Sequence, residues 1–150
     1  MTNAYSVTVQ REIAASPEVL FDAWLDARSL GSWLRPSGIR ETRAETDPRE
    51  GGTFRIVMVD DESSILHSGT YRVIDRPRRL VFTWSSPATR HRDSVVTVTF
   101  RPSSGATVVE IHQVGLPDEE ARASHRAGWS DVLRELGDTR TRDEPARDED

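Results

Sequence analysis

Cysteine is absent from these 150 residues, and so is lysine: all 20 basic side chains are arginine. The first absence excludes disulfides, thiolate nucleophiles and cysteine-held metal sites. The second excludes Schiff-base chemistry, and the arginine bias itself reads as genome composition. No apolar run is long enough to span a membrane, and no basic-then-apolar leader opens the chain, so a cytoplasmic location is expected. A concentrated basic face is also lacking, the net charge being -5, which argues against nucleic acid as a partner. Arg76, Arg78, Arg79, Arg90 and Arg92 read as solvated hairpin ends. What remains, 35% hydrophobic and 30% charged, is enough to bury one core in one domain.

The chain's clearest pattern lies near its end. From Asp118 to Leu136 the residues Ala121, Gly128, Trp129, Val132, Leu133 and Leu136 recur at helical spacing, and His125 falls among them. Asp118, Glu119 and Glu120 suit the positive end of a helix dipole, and Gly137 is placed to end the helix. At about 1.5 Å per residue such a helix crosses a small domain, so it is expected to lie lengthwise over a sheet. The charged, aperiodic residues 137–150 are expected to form a disordered tail after a single domain at 1–136.

Strand patterns fill most of the rest. Tyr5, Val7, Val9 and Ile13 share one side of a first strand, interrupted by Arg11, which reads as a side chain that snorkels out. Ser16-Pro17-Glu18 starts a short helix through Val19, Leu20, Ala23 and Trp24, and a second short helix holds Leu30, Trp33 and Leu34 before Pro36. A polar strand at Ile39 to Glu45 precedes the turn Gly51-Gly52. Then Phe54, Ile56 and Met58 share a face, as do His67, Gly69, Tyr71 and Val73, then Leu80, Phe82 and Trp84, then Val96, Val98 and Phe100, then Val109, Ile111 and Gln113. The order strand, two short helices, antiparallel meander, long helix predicts an α+β fold.

Five stretches, in this order, resemble the SRPBCC or START-like superfamily: Ala15 to Trp24, Leu30 to Pro36, Gly51 to Arg55, His67 to Tyr71, and the C-terminal helix. Arg79 to Trp84, with Gly115 to Glu120 running on to His125-Arg126-Ala127-Gly128-Trp129, are similar to the branch containing the C-terminal domain of activators of heat-shock protein 90 ATPase. The resemblance implies a helix-grip fold, a curved antiparallel sheet of six or seven strands closed around the last helix, with an apolar cavity between them. Trp33, Phe54, Ile56, Met58, Tyr71, Phe82, Trp84 and Trp129 would line it, and His67, Gln113, His125 and the Tyr71 hydroxyl would converge on it as the polar groups. The ordinary alternative is a packed core, in which a lone histidine on an apolar helix face is a satisfied core residue. Where relatives often carry a histidine on the last strand, this chain has Gln113, which cannot titrate.

Catalytic signals are thin. His67, His91, His112 and His125 lack metal-ligand spacing, no nucleophile motif surrounds a serine, and no glycine-rich loop precedes a helix, so neither metal nor cofactor is expected. The expected function is non-enzymatic binding of a small hydrophobic molecule, aromatic or lipid-like. The alternatives are a cyclase or aromatase using His67, Tyr71 or His125, a chaperone-binding module, and a ligand-free homodimer paired through the strand at Ile39 to Glu45. The inward placement of Trp129 is directly testable. Trp129→Ala should lower stability by about 3 to 5 kcal/mol in chemical denaturation, whereas a loss under about 0.5 kcal/mol would contradict the inward face.

Overall fold

In the computed structural model, which describes residues 5–148 and side chains as far as residue 140, seven antiparallel strands form one open sheet. The strands are β1 (Tyr5–Ile13), β2 (Glu41–Thr46), β3 (Thr53–Val59), β4 (Ser64–Asp75), β5 (Arg79–Trp84), β6 (Ser94–Ser103) and β7 (Ala106–Leu116). Helices α1 (Pro17–Ala23) and α2 (Ala27–Trp33) follow β1, and α3 (Glu119–Asp148) follows β7. Strands β2 to β7 form a meander, and β1 pairs with β7, giving the order β1-β7-β6-β5-β4-β3-β2. This is the α+β helix-grip architecture, with β1 and β2 as its edges.

Local chemistry explains the elements. Ser16 caps α1 by accepting from the Val19 amide, with Pro17 at the first helical position, and Asp26 caps α2 through the Ser29 amide. Asp118 accepts from the Ala121 amide at the start of α3. The turn before β3 folds back onto β4, where Gly51 and Gly52 exchange main-chain hydrogen bonds with Tyr71, and Gly51 sits at φ 86°. Alternation then brings Phe54, Ile56, Met58, Leu80, Phe82, Trp84, Val96, Val98, Phe100, Val109, Ile111 and Gln113 into the core.

Two expectations are corrected. The pairing of β4 with β5 shifts between Tyr71 and Val73, so Val73 leaves the inner face and Ile74, opposite Leu80, takes its place against the core. A bulge needs no special residue, which is why alternation alone predicted otherwise. The second concerns Gly137, which does not end α3. It lacks the positive φ of a terminating glycine, and a Cβ there would lie 3.5 Å from Arg11 Nε and 3.7 Å from Ile13 Cγ1, so this turn of α3 rests on β1. Buried Leu136 and Thr139 continue the inner face through that turn. The first residues of the expected tail are therefore helical. Side chains from residue 141 onward, and Glu149 and Asp150 entirely, lie outside the described residues.

Strand β4 also passes unusually close to its neighbours. A Cβ on Gly69 would stand 1.9 Å from the Thr83 carbonyl oxygen and 2.6 Å from Phe54 Cζ, so only glycine fits. The Thr70 amide there donates to the Thr83 hydroxyl at 2.9 Å. Gly69→Ala should cost about 1 to 3 kcal/mol in urea unfolding, and a variant as stable as wild type would show that β4 and β5 separate without penalty.

Candidate functional site

Two spaces lie where α3 crosses the sheet. The inner one is walled by Phe54 and Ile56 of β3, Tyr71 of β4, Phe82 and Trp84 of β5, and Trp129 of α3, with Trp24, Leu30 and Leu34 from the α1 and α2 region. It offers the centre of a water molecule only about 20 Å³, room for roughly one water. Its rings pack closely: Phe54 meets Phe82 edge-on at 5.5 Å and Tyr71 at 5.3 Å, and Trp24 lies 6.2 Å from Trp129. Burial pushes the Tyr71 hydroxyl's pKa up, with the charge of Asp47 adding to it.

The outer space is a half-open cleft of about 140 Å³ on the same measure. Met58, His67 and Trp84 supply its sheet side, and Ser124, His125, Gly128, Trp129 and Val132 its helix side. Pro36 and Ala88 complete the rim. Both rim residues are anchored: the Ser37 amide next to Pro36 donates to Asp131 of α3, and the turn holding Ala88 is capped by Ser86 and Thr89. An ion pair between Arg90 and Asp118 ties that turn to the start of α3.

His67 stands on β4 opposite Ile56, its ring 5.0 Å from that of Trp84 and tilted 38°. Its Nδ1 is buried without a hydrogen-bond partner. Burial lowers its pKa from 6.5 to about 4, against the weaker pull of the Ile56 and Ile65 backbone, and nearby His125 adds to the shift. His125, 9% exposed, places Nδ1 2.7 Å from the Ala121 carbonyl, so that nitrogen donates and Nε2 is the acceptor of the neutral ring. Burial lowers its pKa as well. The cleft therefore presents two uncharged imidazoles at neutral pH.

The expected convergence of four polar groups on one space does not occur. His67 and His125 face the cleft, while Tyr71 faces the inner void. Gln113, fully buried, lines neither; its Oε1 accepts from Trp129 Nε1 at 2.7 Å and its Nε2 donates to Ser94 Oγ at 2.9 Å. Trp33 also lines neither, since its indole is spent on the Ala23 carbonyl and the Ser29 hydroxyl, holding α1 to α2. Of the other expected lining residues, Phe54, Ile56 and Phe82 face the void, Met58 faces the cleft, and Trp84 and Trp129 face both. Sequence reasoning missed Trp24, though its spacing from Leu20 marked it as inward, and missed Ser124, whose four-residue spacing from Gly128 marks a stripe of small residues on α3. His112 bonds Thr8 on the exposed outer face, and His91 is exposed. Among the described residues no three His, Asp or Glu side chains gather to hold a metal, and no helix is long and apolar enough to cross a membrane.

A family model described as Activator of Hsp90 ATPase homolog 1-like protein matches residues 14–140. The chain belongs to this family. No curated protein matches it. Among solved structures of the same fold, protein CV1439 from Chromobacterium violaceum superposes with a TM-score of 0.79 at 24% identity, over 89% of this chain and 95% of that one. The Plasmodium falciparum protein PFC0360w, an HSP90 activator, gives 0.70 at 26% identity over 87% and 92%. CalU16 from Micromonospora echinospora gives 0.68 at 22% over 89% and 74%. A match running from the end of β1 into α3 spans every residue that lines the cleft and the void.

Because His67 is harder to protonate folded than unfolded, the unfolded chain binds the extra proton between pH 6.5 and about 4. Stability should fall as pH drops through that window, by at most about 3 kcal/mol from this residue. An NMR titration should find the His67 ring neutral at pH 6, and His67→Gln should flatten the pH dependence. A midpoint near 6.5 would contradict the burial.

Proposed function

We propose that this member of the Activator of Hsp90 ATPase homolog 1-like family is a non-enzymatic, cytoplasmic binding protein for a small uncharged aromatic molecule, held in the cleft between α3 and strands β3 to β5. The observation that carries the reading is the cleft's composition. About 140 Å³ is close to the volume that takes up one benzene in an engineered apolar cavity, and no charged side chain lines it. Its polar groups are few, the Ser124 hydroxyl and the imidazoles of His67 and His125, and His125 keeps Nε2 as an acceptor. An imidazole whose pKa is near 4 is a weak base at neutral pH, which favours binding over proton transfer. A second reading, a protein-interaction module, draws support from the likeness to the Plasmodium falciparum HSP90 activator.

Nitrobenzene, a one-ring quencher, should reduce tryptophan fluorescence saturably at about one molecule per chain, because Trp84 and Trp129 wall the cleft. Gly128→Leu should abolish that site. A Cβ at Gly128 meets nothing closer than Pro36 at 4.0 Å, so the longer side chain enters the cleft without disturbing the helix, which leucine favours over glycine. Purely collisional quenching in the wild type, with no small molecule retained in native mass spectrometry, would sink the carrier reading in favour of a protein partner.

A further inference from the structure

The void and the cleft share two rings in their walls. Trp84 and Trp129 are the residues that border both spaces, and their ring centroids stand 5.1 Å apart at 56°. Behind them runs a relay of three hydrogen bonds across adjacent strands. Trp129 Nε1 donates to Gln113 Oε1 on β7, Gln113 Nε2 donates to Ser94 Oγ on β6, and Ser94 Oγ donates to the Trp84 carbonyl on β5, at 2.7, 2.9 and 2.7 Å. Gln113 and Ser94 are buried to within 1%.

The chemistry of the relay leaves it one arrangement. An indole nitrogen only donates, so the Gln113 oxygen must face Trp129 and its nitrogen must face Ser94. The serine hydroxyl, having accepted that bond, has its proton free for the Trp84 carbonyl. One amide thereby fixes the ring of one tryptophan and the main chain of the other. The Trp84 indole nitrogen has no partner of its own, so its ring is held by packing against Trp129, His67 and Phe54.

Resting on the carrier reading above, we propose that the Trp84–Trp129 pair is a partition that limits the ligand to about one aromatic ring, and that Gln113 is the residue that sets this limit by fixing the partition. Beyond the partition lies a surface suited to a second ring, formed by Phe54, Tyr71 and Phe82 around a void too small to take one. The wild-type cleft accordingly selects by length. A second ring that adds apolar area would strengthen binding where the site has room for it, but a rod that enters end-on past its first ring meets the indoles here.

The test compares nitrobenzene with 4-nitrobiphenyl, which carries the same polar group on a two-ring rod, by saturable tryptophan quenching. The wild type should bind the one-ring ligand at least about tenfold more tightly, the reverse of the order set by apolar area. Trp84→Leu, which removes one leaf of the partition, should invert that order. Gln113→Met, similar in shape but without the amide, should move the ratio of the two affinities toward the longer ligand by about tenfold and expose the Trp129 indole proton to solvent exchange. If Gln113→Met fails to fold, Ser94→Ala, which removes the bonds from Gln113 and to Trp84 but keeps that from Trp129 to Gln113, should shift the ratio in the same direction. A wild type that binds the two-ring ligand as tightly as nitrobenzene would overturn the partition while leaving the carrier reading intact. So would a ratio unchanged in folded Trp84→Leu. A wild type that binds neither ligand would overturn both.

Discussion

The hydrogen bond from the Trp129 indole to Gln113 joins α3 to the sheet at a point sealed from water. Apolar packing alone is tolerant of sliding, since one methyl contact resembles the next. A buried donor that must meet its acceptor is not tolerant, because an unmade bond there carries the full cost of desolvation, about 1 to 3 kcal/mol. This contact therefore fixes the height and rotation of α3 over the sheet. The positions of His125 and Gly128, one turn and one residue before Trp129, follow from it, and so do those of Val132 and Leu136 beyond.

With the helix so placed, the electrostatic character of the cleft is a matter of depth. The arginines and carboxylates of the chain form surface pairs such as Arg76 with Asp22 and Arg134 with Asp131, which are worth little individually. None reaches the cleft wall. The two imidazoles that do are kept neutral by burial rather than by a charged partner. A guest there finds shape, apolar area and a few directional groups, and an ionised guest would lose its hydration without meeting a counter-charge.

The inner face of the sheet was legible because strand alternation is strict. Phe54, Ile56, Met58, Phe82, Trp84 and Gln113 all fell on the side that two-residue periodicity assigned to them. Three features were not legible, each for its own reason. The shift between Tyr71 and Val73 changes parity without a marker residue. Gly137 carries the residue type of a helix stop but serves the approach of α3 to β1, and the two roles are indistinguishable in one sequence. The division of the site is the third. Periodicity says which side chains point inward but not which of them touch one another, so Gln113 looked like a ligand contact when its hydrogen bonds are already committed to Trp129 and Ser94.

The pairing of β1 with β7 has a consequence for how the domain is made. Val7 lies opposite Gln113, so the earliest strand of the domain has as its sheet neighbour the last one. On the ribosome the meander from β2 onward can assemble hairpin by hairpin as it emerges, each step closing a short loop. Strand β1 must wait unpaired through all of it, its Val7 and Ile13 without a core, until β7 is released and α3 can lie across both. The period of exposure is thus set by translation rather than by folding speed.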